Sequence, residues 1–177
     1  MRKNNKRSAI LDAAFEVVEE KGARHLTIDA VAAQSGMSKG GVLYHFGSKS
    51  DLLSGMLEVL IDLNQARFEE QQAASSDENE ISAILEAVAG MTSRERRASL
   101  ALLAVAAEDS ELLDPAREYM QRTFNGVLGS SKDQMAGTIL LLASEGLRFL
   151  DVLDINPFSK QRNKEILGYL QQQARGL

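Results

Sequence analysis

Proline is nearly missing from this chain. Of 177 residues only Pro115 and Pro157 could break a helical ladder, and both sit where a helix would begin or end anyway. Runs of alternating polar and apolar residues, the mark of a half-buried strand, are scarce. The chain therefore reads as all-α, and apolar spacing lays out about nine helices. Ile10, Ala14, Val17 and Val18 follow i, i+4, i+7, i+8 spacing and mark an amphipathic first helix that should stop near Gly22. Thr27 offers a hydroxyl cap for a short helix bearing Ile28, Val31 and Ala32, and Gln34-Ser35-Gly36-Met37 reads as a tight turn. Ser38 caps a second short helix, Lys39 to about Phe46, which Gly47 should end. Ser48 and Asp51 have capping-box spacing and open a long helix from about Lys49 to Gln72.

The rest of the chain continues in the same way. Ala73 to Asn79 is small, polar and acidic and reads as a loop. Ile81, Ile84, Leu85 and Val88 form a helical stripe that Gly90 interrupts, and Arg94 to Ala107 forms a strongly apolar helix. Glu108-Asp109-Ser110-Glu111 reads as a solvated loop. Asp114-Pro115 pairs an N-cap with a first-turn proline, and Gly129-Ser130-Ser131 should end that helix near Leu128. Asp133 to about Leu153 is long and apolar, Asn156-Pro157 breaks the chain, and Ser159 to Ala174 makes the last helix.

Composition removes several function classes. There is no cysteine, which excludes disulfide scaffolds, cysteine zinc sites and thiol catalysis. His25 and His45 stand far apart, without a carboxylate partner motif or a glycine-rich phosphate loop, so neither a metal site, a cofactor nor a catalytic centre is expected. The longest wholly apolar run is Leu100–Ala107, against about 20 residues needed to span a bilayer. Asp12 and Glu16 interrupt the apolar core that a signal peptide would need after the basic N-terminus. A soluble, cytoplasmic protein with no membrane association is expected. Charge is split: residues 1–50 carry eight Lys/Arg and five Asp/Glu, a net of +3, while residues 51–177 carry twelve and twenty, a net of −8. A basic head on an acidic body places any polyanion at the head.

Two short helices joined by a glycine-containing turn, behind a longer supporting helix, make a helix-turn-helix unit whose second helix can enter a major groove. Lys39 is a cation at the start of that second helix. Gly40 and Gly41 carry no side chain and allow close backbone approach. Tyr44 and His45 are polar aromatics at its far end, and Thr27, Ser38 and Lys49 stand at three helix starts, where phosphates are favoured.

The stretch LTIDAVAAQSGMSKGGVLYHFGSKSDLL, Leu26 to Leu53, resembles the DNA-binding signature of TetR-family transcriptional regulators. With the preceding helix, the match covers about residues 5–55. The resemblance implies an all-helical homodimer that binds a palindromic operator. Residues 1–50 would form the helix-turn-helix DNA-binding domain, and 51–177 a helical effector-binding and dimerisation domain. By the same resemblance, Thr27, Ser38, Lys39, Gly40, Gly41, Tyr44, His45 and Lys49 fall on DNA-contacting positions. Ile28, Val31, Ala32, Val42 and Phe46 fall on the head's small core. Many members have an aromatic where this chain has Leu43, which cannot donate to phosphate. With two glycines at base-facing positions, base reading rests on few side chains and DNA shape contributes.

The segment GLRFLDVLDINPFSKQRNKEILGYL is similar to the C-terminal bodies of some TetR-like regulators. In that family the last two helices pack on their mates as a four-helix bundle. Gly137, Ala143, Ser144 and Gly146 are small enough to allow such close approach. Dimerisation also has a physical reason, because one short recognition helix reads only a few base pairs. An effector pocket, if built, lies among the helices from about Leu57 to Leu128, with Met91, Leu102, Leu103, Met120 and Phe124 as candidate lining for an apolar small molecule. Arg94, Arg96 and Arg97 crowd one turn and form either an anion site or a solvated face. The expected function is a DNA-binding transcriptional repressor released by a small, largely apolar ligand. The alternatives are a DNA-binding protein controlled by a protein partner, and a small helical enzyme for which no residue spacing specifies a reaction.

Overall fold

The computed structural model describes residues 2–74, 80–106 and 110–177. Among these residues there are nine α-helices and no strand: α1 (Arg2–Lys21), α2 (Ile28–Ser35), α3 (Lys39–His45), α4 (Lys49–Ala74), α5 (Glu80–Ala89), α6 (Ser93–Ala106), α7 (Asp114–Ser130), α8 (Gln134–Val152) and α9 (Lys160–Ala174). Two short 3₁₀ turns, Ala23–His25 and Ser110–Leu113, join them. The loop expected at Ala73–Asn79 falls mostly outside the described residues, as do Glu108 and Asp109.

The described chain packs as two compact units. The first comprises residues 1–60 and 93–116, the second residues 61–92 and 117–177.

In the first unit, α1 buries Ile10, Leu11, Ala13, Ala14, Phe15, Val17 and Val18, more than one amphipathic stripe would. The reason is that α1 is packed on two sides, by α2 and by α6. The arginines of α6 form part of that second contact. Arg94 donates to the Asp12 carbonyl at 3.0 Å and lies over the Phe15 ring at 5.3 Å, while Arg97 donates to the Glu19 carbonyl at 3.0 Å. These two arginines therefore hold α6 to α1.

Local chemistry sets the ends of the short helices. Gly22 (φ 84°) and Gly36 (φ 67°) take the left-handed conformation at the ends of α1 and α2, which a side chain would strain. Thr27 Oγ1 accepts from the Ala30 amide, Ser38 Oγ from Gly41 and Ser48 Oγ from Asp51, each at 3.0–3.1 Å. Gly47 does not end α3 with a left-handed turn; Phe46 caps it in an extended conformation, its amide bonded to the Val42 carbonyl. Gly55 seats α4 on the head, because a Cβ there would come 2.8 Å from the Phe46 ring and 3.1 Å from Leu11.

In the second unit, α5, α8 and α9 pack on one another. Their core is Ile81, Ile84, Leu85, Val127, Leu140, Leu141, Leu170 and Ala174. Two details differ from the sequence expectation. The 3₁₀ turn Ser110–Leu113 feeds straight into α7, so Asp114 is its first helical residue and not a cap, and α7 continues through Gly129. The small residues of α8 mostly serve their own chain: a Cβ at Gly137 would come 2.8 Å from Ser131 Oγ and 3.0 Å from Val127, and Ser144 is fully buried. Only Gly146 of the four opens outward, with nothing within 4 Å.

Candidate nucleic-acid interface and ligand cleft

The head holds its second short helix with very few anchors. Of the seven residues of α3, only Val42 is buried, and Phe46 follows as a second anchor. Val31, Ala32 and Leu26 complete the small core, while Ile28 is half-buried. Lys39, Gly40, Leu43 and Tyr44 are exposed, while Gly41 and His45 are half-buried. Tyr44 is 71% exposed and stacks edge-on against His45 with ring centroids 5.3 Å apart. A Cβ on Gly40 would meet nothing within 4 Å, so the helix presents bare backbone there.

Ser38, Gly41, Tyr44 and His45 border one surface concavity of about 570 Å³, together with Gly36, Met37 and Lys6. Lys6 comes from α1, and the sequence reading did not single it out. Its basic N-terminal neighbourhood was the only signal available. Thr27, Lys39, Gly40 and Lys49 lie outside that lining but on the exposed surface of the same head. Lys39 is engaged: its Nζ is 3.0 Å from Asp29 Oδ2. Lys49 makes no ion pair with any described residue. Leu43 is 37% exposed and offers no donor. Such a surface, with cations, a phenol, an imidazole and uncovered backbone at helix starts, suits phosphates and groove edges.

The second unit contains a cleft of about 400 Å³, within the range of small-molecule sites. Its apolar part is Ile61, Phe68 and Ile84. Phe68 and Ile84 also belong to the surrounding core, so this floor is fixed by packing. The polar part comes from α4 (Asp62, Gln65) and α7 (Tyr119, Arg122, Thr123). None of the five expected lining residues borders this cleft. Leu102 is core of the first unit and Leu103 sits beside it on α6, while Met91, Met120 and Phe124 belong to the second unit, Phe124 packed on its core. Residue type at helical spacing does not distinguish lining from core. The polar pairs at i, i+3 spacing, Asp62/Gln65 and Tyr119/Arg122, were the readable sign of a wet face, and sequence reasoning missed them.

On the opposite side from its own core, α8 carries a second apolar face. Met135, Ile139, Leu142, Phe149 and Leu153 are 41–69% exposed, and Gly146 interrupts the row. The 4-3-4-3-4 spacing gathers them into one stripe. Its buried face, Gly137, Leu140, Leu141, Ser144 and Val152, points the other way. Among the described residues, no helix is long and apolar enough to cross a membrane and no cluster of His, Cys, Asp or Glu could hold a metal ion.

Comparison with known proteins adds to this geometry. Residues 10–56 match the family model described as bacterial regulatory proteins, tetR family, and residues 78–175 match the tetracyclin repressor-like, C-terminal domain. The chain is 37% identical over 51 residues to the HTH-type transcriptional regulator SrpR of Pseudomonas putida, covering 29% of this chain and 24% of that protein. It is 34% identical over 73 residues to the HTH-type transcriptional regulator BetI of Paraburkholderia phytofirmans, covering 41% of this chain and 37% of that one. These matches thus span well under half of either relative. Among solved structures, a putative TetR-family transcriptional regulator from Rhodococcus sp. superimposes with a TM-score of 0.76 at 20% identity, covering 97% of this chain and 99% of that one. The multidrug binding protein EbrR complexed with malachite green gives 0.70 at 22% identity, covering 93% and 97%. At such identities the likeness is one of fold.

Proposed function

The chain belongs to the TetR family of bacterial regulatory proteins, a DNA-binding transcriptional regulator and not an enzyme, and we propose that it is a repressor that binds a palindromic operator as a homodimer. In this reading a small molecule with a largely apolar body releases it from DNA. Residues 1–50 read the operator, through Thr27, Ser38, Lys39, Gly40, Gly41, Tyr44, His45 and Lys49. Residues 51–177 bind the effector and join the two copies. The reading places the protein in the cytoplasm, where the operator is.

The observation that carries this reading is the exposed apolar stripe of α8. A row of apolar side chains opposite the helix's own core loses its contact with water only against another apolar surface. Its spacing is that of a helix seam, which a second copy of α8, flanked by α9, would match. A dimer is also what a short recognition helix requires, since two heads must reach half-sites about one helical turn apart or a multiple of it.

Coupling follows from one element. The helix α4 carries Lys49 at its start and Ile61, Asp62, Gln65 and Phe68, all cleft residues, farther along. A ligand that favours a position of α4 unsuited to DNA lowers DNA affinity, and DNA lowers ligand affinity by the same factor. The fold likeness to EbrR, solved with malachite green, supports a body able to hold a small molecule.

The test is selection from random-sequence DNA at moderate salt, with the protein's mass measured by sedimentation. Moderate salt suppresses binding through phosphates alone. An enriched palindrome bound by a dimer is the expected outcome. A monomer at micromolar concentration in the presence of the selected DNA would overturn the architecture, and enrichment of a non-repeated site would overturn the palindrome.

A further inference from the structure

The full charges in the cleft are sorted by helix, Asp62 on α4 and Arg122 on α7. On α7, Tyr119 Oη accepts from Asn64 Nδ2 at 2.6 Å, so its own proton is available. Thr123 Oγ1 donates to the Tyr119 carbonyl at 3.1 Å and has no proton left to give. The Arg122 guanidinium forms no ion pair or hydrogen bond with any described residue. The α7 side thus offers the Tyr119 proton, the Thr123 hydroxyl oxygen as an acceptor, and one full positive charge. On α4, Gln65 Nε2 donates one proton to Glu69 Oε1 at 2.9 Å, which leaves Gln65 Oε1 as an acceptor and the second amide proton as a donor. Asp62 has no partner among the described residues. The α4 side thus offers acceptors, one amide proton and one full negative charge. Asp62 and Arg122 line the same cleft, yet no ion pair joins them. The apolar floor of Ile61, Phe68 and Ile84 completes it.

From this we infer that the cleft takes an amphoteric ligand, an amino-acid-like compound with an ammonium group, a carboxylate and an apolar side chain. The carboxylate meets Arg122 and the Tyr119 hydroxyl, and the ammonium meets Asp62 and Gln65 Oε1. The side chain rests on the floor. A purely cationic ligand would satisfy Asp62 but bring its charge near Arg122, and a purely anionic one would do the reverse. A neutral apolar ligand would leave both charges without a partner while removing water from around them. The inference deepens the proposed function, because it rests on the reading of the body as a ligand site and names the ligand's class.

The protein, free of DNA, is titrated calorimetrically with four probes that share a phenyl ring: phenylalanine, phenethylamine, hydrocinnamate and the neutral N-acetylphenylalanine methylamide. Phenylalanine should bind about tenfold more tightly than either singly charged probe, the factor that about 1.4 kcal/mol supplies. Asp62→Asn should erase its advantage over hydrocinnamate, and Arg122→Gln its advantage over phenethylamine. Both residues are exposed, so both variants should fold, and circular dichroism checks this. Three results would overturn the inference: equal binding of the neutral probe, no effect of either variant on phenylalanine, or no binding of any probe by protein that still binds DNA. A second arm measures affinity for the selected operator with and without saturating phenylalanine. Tight binding that leaves operator affinity unchanged would support the ligand class and break the release mechanism, so the two readings fail separately.

Discussion

The helices α3 and α8 expose side chains for different reasons. In α3, seven residues are held by two anchors, Val42 and Phe46, with a serine cap in front. Apart from Leu43, what it exposes is polar: Tyr44, Lys39 and uncovered backbone at Gly40. Those groups are stable beside water as they stand, Lys39 with its ion pair to Asp29. In α8, nineteen residues are held along one face by a full core, and the opposite face is apolar and wet. Nothing within the described chain covers that face. The polar surface is therefore complete as a monomer and the apolar one is not, which is why a mutation in each should be read by a different measurement.

The largest effect is expected on α8. Introducing aspartate at both Ile139 and Leu142, which are 56% and 58% exposed, should leave helix content intact. Charges within the seam should turn the sedimenting species from dimer to monomer. Operator affinity should then fall by on the order of a thousandfold, to the level of non-specific binding. An unchanged dimer would move the interface off this stripe.

Two glycines of the first unit make the next comparison. Gly55→Ala forces a methyl group to within 2.8 Å of the buried Phe46 ring, and overpacking of this kind costs about 1–3 kcal/mol. For a chain of this size, the melting temperature should fall by about 2–4 °C per kcal/mol. Gly40→Ala meets open space and should raise stability by about 0.5–1 kcal/mol, because alanine is the better helix former. If Gly40 faces DNA at close range, the same variant binds the operator more weakly while melting higher. A Gly40→Ala protein with full DNA affinity would remove that close approach.

Lys49→Ala should weaken DNA binding at least about tenfold and lower the salt slope by about 1.8, because a dimer loses one phosphate contact in each copy and each contributes about 0.9. Selected and random duplexes should lose affinity alike, because phosphates carry no sequence information. A loss confined to the selected operator would place Lys49 on a base.

How much was readable in advance differs between the same two regions. The head is built from local chemistry: Thr27, Ser38 and Ser48 bond to amides three residues away, and Gly22 and Gly36 take left-handed turns. Such features lie within a few residues and are visible in a sequence. The pairing of Lys39 with Asp29, ten positions away, and the place of Lys6 beside the α3 concavity depend on how α1, α2 and α3 pack, so they were not visible. The cleft depends wholly on tertiary structure. Its lining comes from three helices, and the residues expected there lie elsewhere: Leu102 and Phe124 pack into cores, while Met91, Leu103 and Met120 are half-buried outside the cleft. The arginines of α6 were legible as a cluster but not as donors to the carbonyls of a helix some eighty residues earlier.

The smallest effect, and the one that most sharpens the account of the head, concerns Asp29. Its carboxylate holds Lys39 Nζ at 3.0 Å, with side chains 70% and 59% exposed respectively. An exposed pair of this kind contributes about 0–1 kcal/mol, and Asp29 in the first turn of α2 adds a favourable interaction with the helix dipole of about 0.3–1 kcal/mol. Asp29→Asn should therefore lower the melting temperature only slightly. It should also free Lys39 for phosphate and remove a negative charge from the proposed DNA-reading surface. Affinity for any duplex should then rise roughly twofold to fivefold at low salt, and the gain should shrink as salt is added, since the Debye length falls to about 10 Å at 0.1 M. A fall in affinity confined to the selected operator would mean the reverse arrangement. Asp29 would then be aiming Lys39 at its contact or accepting from a cytosine amino group, and the acidic residue would be part of the reading surface.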